Sequence, residues 1–221
     1  MAKAETSMGK AGTSMGEGIP FARQRNENDQ SEVTDTVANP VLGSQMTFLE
    51  RSADTGGEYV LVEIVEAPQA LGPPLHVHPT QSETFEVAEG RLNLAVDGEE
   101  WTLEPGESAT VPPGRPHRYW NGSDQPVRGT MELRPAGNFE TFLETTAALA
   151  AAGKVNAAGV PNLLQAAVLL QEHWDVFRLV SPPQRIQKPL FAILAPVGRA
   201  LGYQPSYRYG EVIEDQSEAS E

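Results

Sequence analysis

Turn formers punctuate the stretch from Val41 to Pro135 so regularly that few folds can accommodate it. Short runs of Val, Leu, Phe and Tyr are broken by Gly, Pro, Asp and Asn at the spacing of an all-β sandwich or barrel. Strands are expected near 45–53, 58–66, 83–88, 91–97, 99–103, 107–112, 116–121 and 126–134. The clearest hairpin is RLNLAVDGEEWTL. There Leu92, Leu94 and Val96 alternate with polar or small residues, and Asp97-Gly98 supplies the positive-φ turn that fixes the register.

At about Gly137 the texture changes: alanine and leucine dominate and the apolar period becomes helical. Asn138 is placed to cap a first helix with Phe139, Phe142, Leu143 and Thr146 on one stripe. A second follows Pro161, with Leu163, Ala166, Ala167, Leu170, Trp174 and Phe177 on one face. Pro182 and Pro183 suit the start of a third, in which Ile186, Leu190, Leu194, Val197 and Leu201 recur and Pro189 and Pro196 should kink or interrupt the helix. These apolar faces need a partner. Packing on the barrel wall or on one another is the favoured reading, with a dimer interface or a lid over the barrel mouth as alternatives.

The expected organisation is therefore a polar, Gly-rich disordered tail over 1–38, a barrel over 39–136, a helical extension over 137–209 and an acidic disordered tail over 210–221. With 221 residues the chain has room for one ordinary domain and added segments. A formal net charge of −14 argues against a nucleic-acid partner, and the absence of cysteine excludes disulfides and thiolate metal sites. No signal-like apolar core or bilayer-length apolar run is visible, so a soluble, cytoplasmic protein with no membrane partner is expected.

The chemistry concentrates in PPLHVHPTQSETFEVAEG, residues 73–90. Residues two apart in an extended segment point the same way, so His76 and His78 offer imidazoles to one region while Val77 faces away. In the following strand Glu83, Phe85 and Val87 share the interior face, and a carboxylate buried there needs a compensating partner such as a metal held with the two histidines. Downstream, GESATVPPGRPHRYWN places His117 and Tyr119 on one face of a returning strand. The remaining histidine, His173, falls on a helix, where an exposed or hydrogen-bonded ring is expected.

These two segments resemble the paired motifs of the cupin superfamily. His76, His78, Glu83 and Gly90 match the spacing of the first motif, although Gly72 precedes His76 by fewer residues than the pattern has; Gly106, Pro112, Gly114, His117 and Asn121 match the second throughout. The resemblance covers roughly residues 42 to 135. It implies a mainly β fold, a double-stranded β-helix or jelly-roll cupin barrel, here with a C-terminal helical extension. It also implies one divalent transition metal held by His76, His78, Glu83 and His117. Fe(II) or Mn(II) is favoured, with Zn, Ni or Cu as alternatives, and coordination positions remain for substrate.

By the same resemblance the leading function is a single-barrel, metal-dependent enzyme acting on a small organic substrate, a dioxygenase-type oxidoreductase like the quercetin dioxygenase-like cupins. Glu83 would both bind the metal and accept a substrate proton. The alternatives are a non-redox polyketide cyclase, isomerase or lyase, and a non-catalytic small-molecule binder. Gln81, Tyr59, Phe48, Met46, Met131 and Tyr119 are candidate pocket walls, though aromatic and methionine residues on barrel strands are more often core. Arg115 and Arg118 read as surface arginines at a turn, with contact to an anionic substrate as the alternative. A homodimer is expected, because cupin barrels often pair through edge strands.

Overall fold

The structure, a computed structural model, describes residues 36–210. Of the tails expected at 1–38 and 210–221, residues 1–35 and 211–221 lie outside the described residues. Ten strands come first: β1 (Thr36–Asn39), β2 (Ser44–Glu50), β3 (Val60–Glu66), β4 (His76–Val77), β5 (Ser82–Glu89), β6 (Leu92–Val96), β7 (Glu99–Leu103), β8 (Ser108–Val111), β9 (His117–Trp120) and β10 (Val127–Arg134). They are followed by α1 (Phe139–Ala151), α2 (Leu163–Glu172), a two-residue strand β11 (Arg178–Leu179) and α3 (Gln184–Ala200).

The strands form two antiparallel sheets, one ordered β1-β2-β3-β10-β5-β8 and the other β11-β4-β9-β6-β7. Their inward rows share one core. Val60, Val62 and Ile64 of β3, Phe85 and Val87 of β5, Leu92 and Leu94 of β6 and Met131 and Leu133 of β10 are all essentially inaccessible to water. Burying each such side chain contributes about 1.5–3 kcal/mol before conformational entropy is charged. The β6–β7 hairpin closes as expected, with Asp97 and Gly98 both at positive φ and Val96 paired with Glu99. This is the jelly-roll barrel with a C-terminal helical extension that the motifs imply.

Several local expectations are corrected. β1 starts at Thr36, inside the segment expected to be tail, because Val37 and Asn39 alternate inward against β2. Asn138 makes no side-chain cap on α1. Asn162 is the working cap, its side chain accepting from the backbone N–H groups of Leu164 and Gln165 at the start of α2.

α3 runs unbroken through Pro189 and Pro196, and its buried face is rotated from the expected apolar stripe, of which Leu190 and Leu194 still pack half-buried against the core. It buries Gln187, Phe191, Ala195 and Gly198, and leaves Ile186, Ile193, Val197 and Leu201 exposed. Close approach to α2 decides the face: a Cβ on Gly198 would meet Val168 at 2.7 Å and the Leu164 carbonyl at 3.1 Å. Gln187 is buried because its amide donates to the carbonyls of Leu179, at 2.7 Å, and Pro182. Both prolines lie on the exposed side of the helix, where a missing backbone hydrogen bond costs less than it would in the core.

The extension covers the barrel rather than standing apart. Arg51 on the barrel binds Glu140 and, at 3.0 Å, Glu144 of α1. β11 adds to the edge of the second sheet, Leu179 opposite His76 and Arg178 opposite Val77. None of the helices among the described residues is long and apolar enough to cross a membrane.

Candidate metal centre

Three short pieces of strand bring the site together. His76 on β4 lies opposite His117 on β9, which places both rings on the inner face of the same sheet. Glu83 comes from β5 of the other sheet, in the inward row with Phe85 and Val87. His78 follows β4, and its carbonyl accepts from the Gly114 N–H at 2.8 Å, a backbone bond joining the two motif segments. All four side chains are buried, and one ligand atom from each lies within 4.8 Å of the others.

Each imidazole is oriented by its Nδ1. His76 donates to the carbonyl of Pro74 at 2.9 Å, His117 to that of Arg115 at 2.8 Å, and His78 to that of Val176 at 2.5 Å. These bonds assign the Nδ1–H tautomer and turn the three Nε2 atoms toward one another, as outer-shell carbonyls do for metal-binding histidines. His76 Nε2 and His78 Nε2 are then 3.2 Å apart, and His117 Nε2 is 2.7 Å from Glu83 Oε2. Lone pairs and a carboxylate converging at such distances in a dry pocket repel unless a cation or a shared proton sits among them. The donor set therefore fits a divalent first-row metal.

The electrostatics agree in direction. Burial pushes the Glu83 carboxyl up, but its electrostatic interaction with His78 and its hydrogen bond with His117 outweigh it and hold Glu83 well below the usual carboxylate range. Burial, followed by the neighbouring His117 and His78, keeps His76 neutral. For His117 burial is outweighed by Glu83, and the ring is raised. The carboxylate is thus ionised and ready as a ligand.

His76, His78 and Glu83 open into a cavity of about 90 Å³ roofed by the extension, while His117 stands behind them and does not line it. On that measure roughly 10–15 Å³ holds one water, so there is space for a small organic molecule. Phe177 stacks on His76 with 4.5 Å between ring centroids and 17° between planes, Phe139 meets His78 edge-on, and Phe142 stacks on Phe177. Of the openings left by the sequence, α1, α2 and the segment leading into β11 take the part of a lid.

Of the candidate walls, Met46, Met131 and Tyr119 line the cavity, whereas Gln81, Tyr59 and Phe48 do not. Arg115 pairs with Asp97, and Arg118 stacks over Trp120 at 4.8 Å; neither lines the cavity. His173 is not exposed: it is buried at the C-cap of α2 with its ring against Phe142. Asn121 does structural work, its amide donating to the carbonyls of Ala67 and Gln125 at 2.8 Å each while its Oδ1 accepts from Ser123.

Sequence reasoning missed Ser44, Glu66 and the Val176 carbonyl. Strand alternation carried a signal for one of them, because Glu66 ends the inward row Val60, Val62, Ile64. It is fully buried, shares a 2.6 Å hydrogen bond with Ser44 Oγ, and burial pushes its carboxyl up to about 7.

Residues 62–131 match the family model described as a cupin domain. Quercetin 2,3-dioxygenase of Bacillus subtilis (strain 168) is 30% identical over 79 residues, which are 36% of this chain and 23% of the relative. Polyketide synthase CurC of Streptomyces cyaneus is 35% identical over 60 residues, 27% of this chain and 39% of the relative. Among solved structures, a cupin-superfamily sugar phosphate isomerase from Silicibacter pomeroyi DSS-3 aligns with 27% identity and a TM-score of 0.38, over 43% of this chain and 62% of that one. The matched segments thus span well under half the length of either curated relative.

Proposed function

Because residues 62–131 are a cupin domain, we propose that the protein is a single-barrel, metal-dependent enzyme of the dioxygenase type acting on a small organic substrate. The observation that carries the reading is the convergence of three Nε2 atoms and the Glu83 carboxylate, of which His76, His78 and Glu83 face a roofed, apolar cavity. His76, His78, Glu83 and His117 would hold the metal, with Fe(II) or Mn(II) favoured and Zn, Ni or Cu also compatible with imidazole and carboxylate donors. When bound, it would supply Lewis-acid polarisation of a substrate oxygen and, as Fe(II) or Mn(II), redox access to dioxygen.

The chain's own residues do the rest. The carbonyls of Pro74, Arg115 and Val176 fix the imidazoles. Phe139, Phe142 and Phe177 exclude water above them. Glu83, ionised and facing the cavity, accepts the proton that a substrate hydroxyl or activated C–H releases. The similarity to quercetin 2,3-dioxygenase supports oxygen chemistry, and the similarity to polyketide synthase CurC favours a second reading, non-redox cyclisation, isomerisation or lysis.

Oxygen uptake by the anaerobically Fe(II)-reconstituted protein, offered diketones and polyphenols, tests the first reading. Uptake that disappears in His76→Ala is expected. Turnover without uptake would move the assignment to the non-redox reading, and full ligand binding by metal-free protein with no turnover would leave a binder.

The proposal includes a cytoplasmic homodimer with no nucleic-acid or membrane partner. Support for the dimer is the exposed row Ile186, Ile193, Val197 and Leu201 on α3. Light scattering should give twice the chain mass, and Ile193→Glu should halve it. A monomeric wild type would refute the dimer.

A further inference from the structure

Glu66 is out of place for a barrel core. It is fully buried, burial and Ser44 are the influences on its carboxyl, and its Oε2 has no hydrogen-bond partner among the described residues. A carboxylate taken out of water with no cation beside it is cheaper protonated. A protonated Glu66 donates to Ser44 Oγ across the 2.6 Å bond, and the Ser44 proton is then free to point elsewhere. Ser44 lines the cavity; Glu66 stands behind it.

The pair also sits at a different level from the histidines. On the ladder with β10, Glu66 lies opposite Val127 and Glu83 opposite Leu133, six residues apart along the same strand. Between those levels the walls are apolar, with Met46 and Met131 among them, and no Lys or Arg is among the cavity's described lining residues. Tyr119 borders the same space.

We propose that Ser44, oriented by Glu66, is a second polar anchor of the cavity, and that the ligand is an uncharged, mostly apolar molecule bearing a hydrogen-bond acceptor at the end away from the histidines. Glu66 is a positioning residue and Ser44 the one that touches ligand. The inference rests on the cavity being the substrate site, but not on which reaction takes place there.

The test is binding of acetophenone, ethylbenzene and benzoate to the chelator-treated full-length protein by calorimetry, with metal loading and oxygen uptake measured separately. Acetophenone should bind roughly five- to tenfold more tightly than ethylbenzene, the worth of one hydrogen bond, and benzoate should not bind. Ser44→Ala should bring that ratio to about one while ethylbenzene affinity is unchanged. Glu66→Gln, whose amide also donates to Ser44, should keep the ratio, and Glu66→Met should lower it.

Equal binding of the two neutral probes by wild type, a ratio that survives Ser44→Ala, a ratio that Glu66→Met leaves intact, benzoate as tight as acetophenone, or no binding of any probe would each overturn the proposal. Failure of metal loading or oxygen uptake instead counts against the enzymatic reading, since the probe ratios are taken without metal.

Discussion

The Nδ1 of His78 donates to the main-chain carbonyl of Val176, 2.5 Å away and 98 residues further along the chain. The orientation of a barrel ligand therefore depends on the helical extension. Phe177, next to Val176, stacks on His76, so one turn of chain touches two of the candidate ligands. Phe177→Leu should keep the fold while loosening both rings. Metal affinity should fall by about ten- to a hundredfold, as for other outer-shell partners, in competition titrations against a chelator dye. An unchanged affinity would reduce the extension to cover.

Removal of a ligand should have a graded effect. Glu83→Ala leaves three imidazoles and no compensating charge, whereas His117→Ala leaves the Glu83 carboxylate buried without its 2.7 Å partner. His117→Ala should therefore cost more stability, about 3–5 kcal/mol in urea unfolding of the metal-free protein, the range for an orphaned buried charge. Both variants should lose metal by elemental analysis. Retention of full metal content by either would remove that residue from the ligand set.

Gly72, displaced from its place in the family motif, is needed for a different reason. Its φ is +62°, and a Cβ would lie 1.8 Å from the Tyr119 carbonyl oxygen, so Gly72→Ala must push the entry loop off β9. A loss of more than about 3 kcal/mol is expected. Gly98 shares the positive φ but a Cβ there meets nothing within 4 Å, and Gly98→Ala should cost only about 1–2 kcal/mol. Thermal unfolding of the two variants side by side distinguishes close approach from backbone strain alone.

Local pattern made the barrel legible. Alternation located β5, β6 and β9 within a residue or two and put Glu83, His117 and Tyr119 on the inside, and the motif spacing gathered the four candidate ligands that the structure brings together. What was not legible depends on partners distant in sequence. β4 and β11 are two residues each and exist only because they pair with one another and β9, so no local propensity marks them. The buried face of α3 is set by how closely Gly198 lets it approach α2, a contact that leaves only Leu190 and Leu194 of the apolar stripe against the core. Glu66 was within reach of parity, but a charged residue at a strand end reads as the strand's exit to water unless the inward row is followed to its last position.

That position makes an unusual contribution to stability. The Glu66 carboxyl is raised from 4.5 to about 7 in the folded protein, so between those values the folded chain holds a proton that the unfolded chain has released. Stability from this group is fully present below about pH 4.5, falls as pH rises toward 7 and levels off above it, the reverse of a salt-bridged carboxylate. The ceiling on the change is about 3 kcal/mol, from 1.36 kcal/mol per pH unit. Other buried groups titrate too, so the measurement is a difference: urea unfolding of wild type minus Glu66→Gln, from pH 4.5 to 8. The variant's amide carries no titrating proton and keeps a bond to Ser44, so wild type should lose ground steadily to the variant across this range and be the less stable of the two at pH 8. A difference that stays flat would mean that Glu66 is ionised throughout, and that Ser44 Oγ donates to it rather than into the cavity.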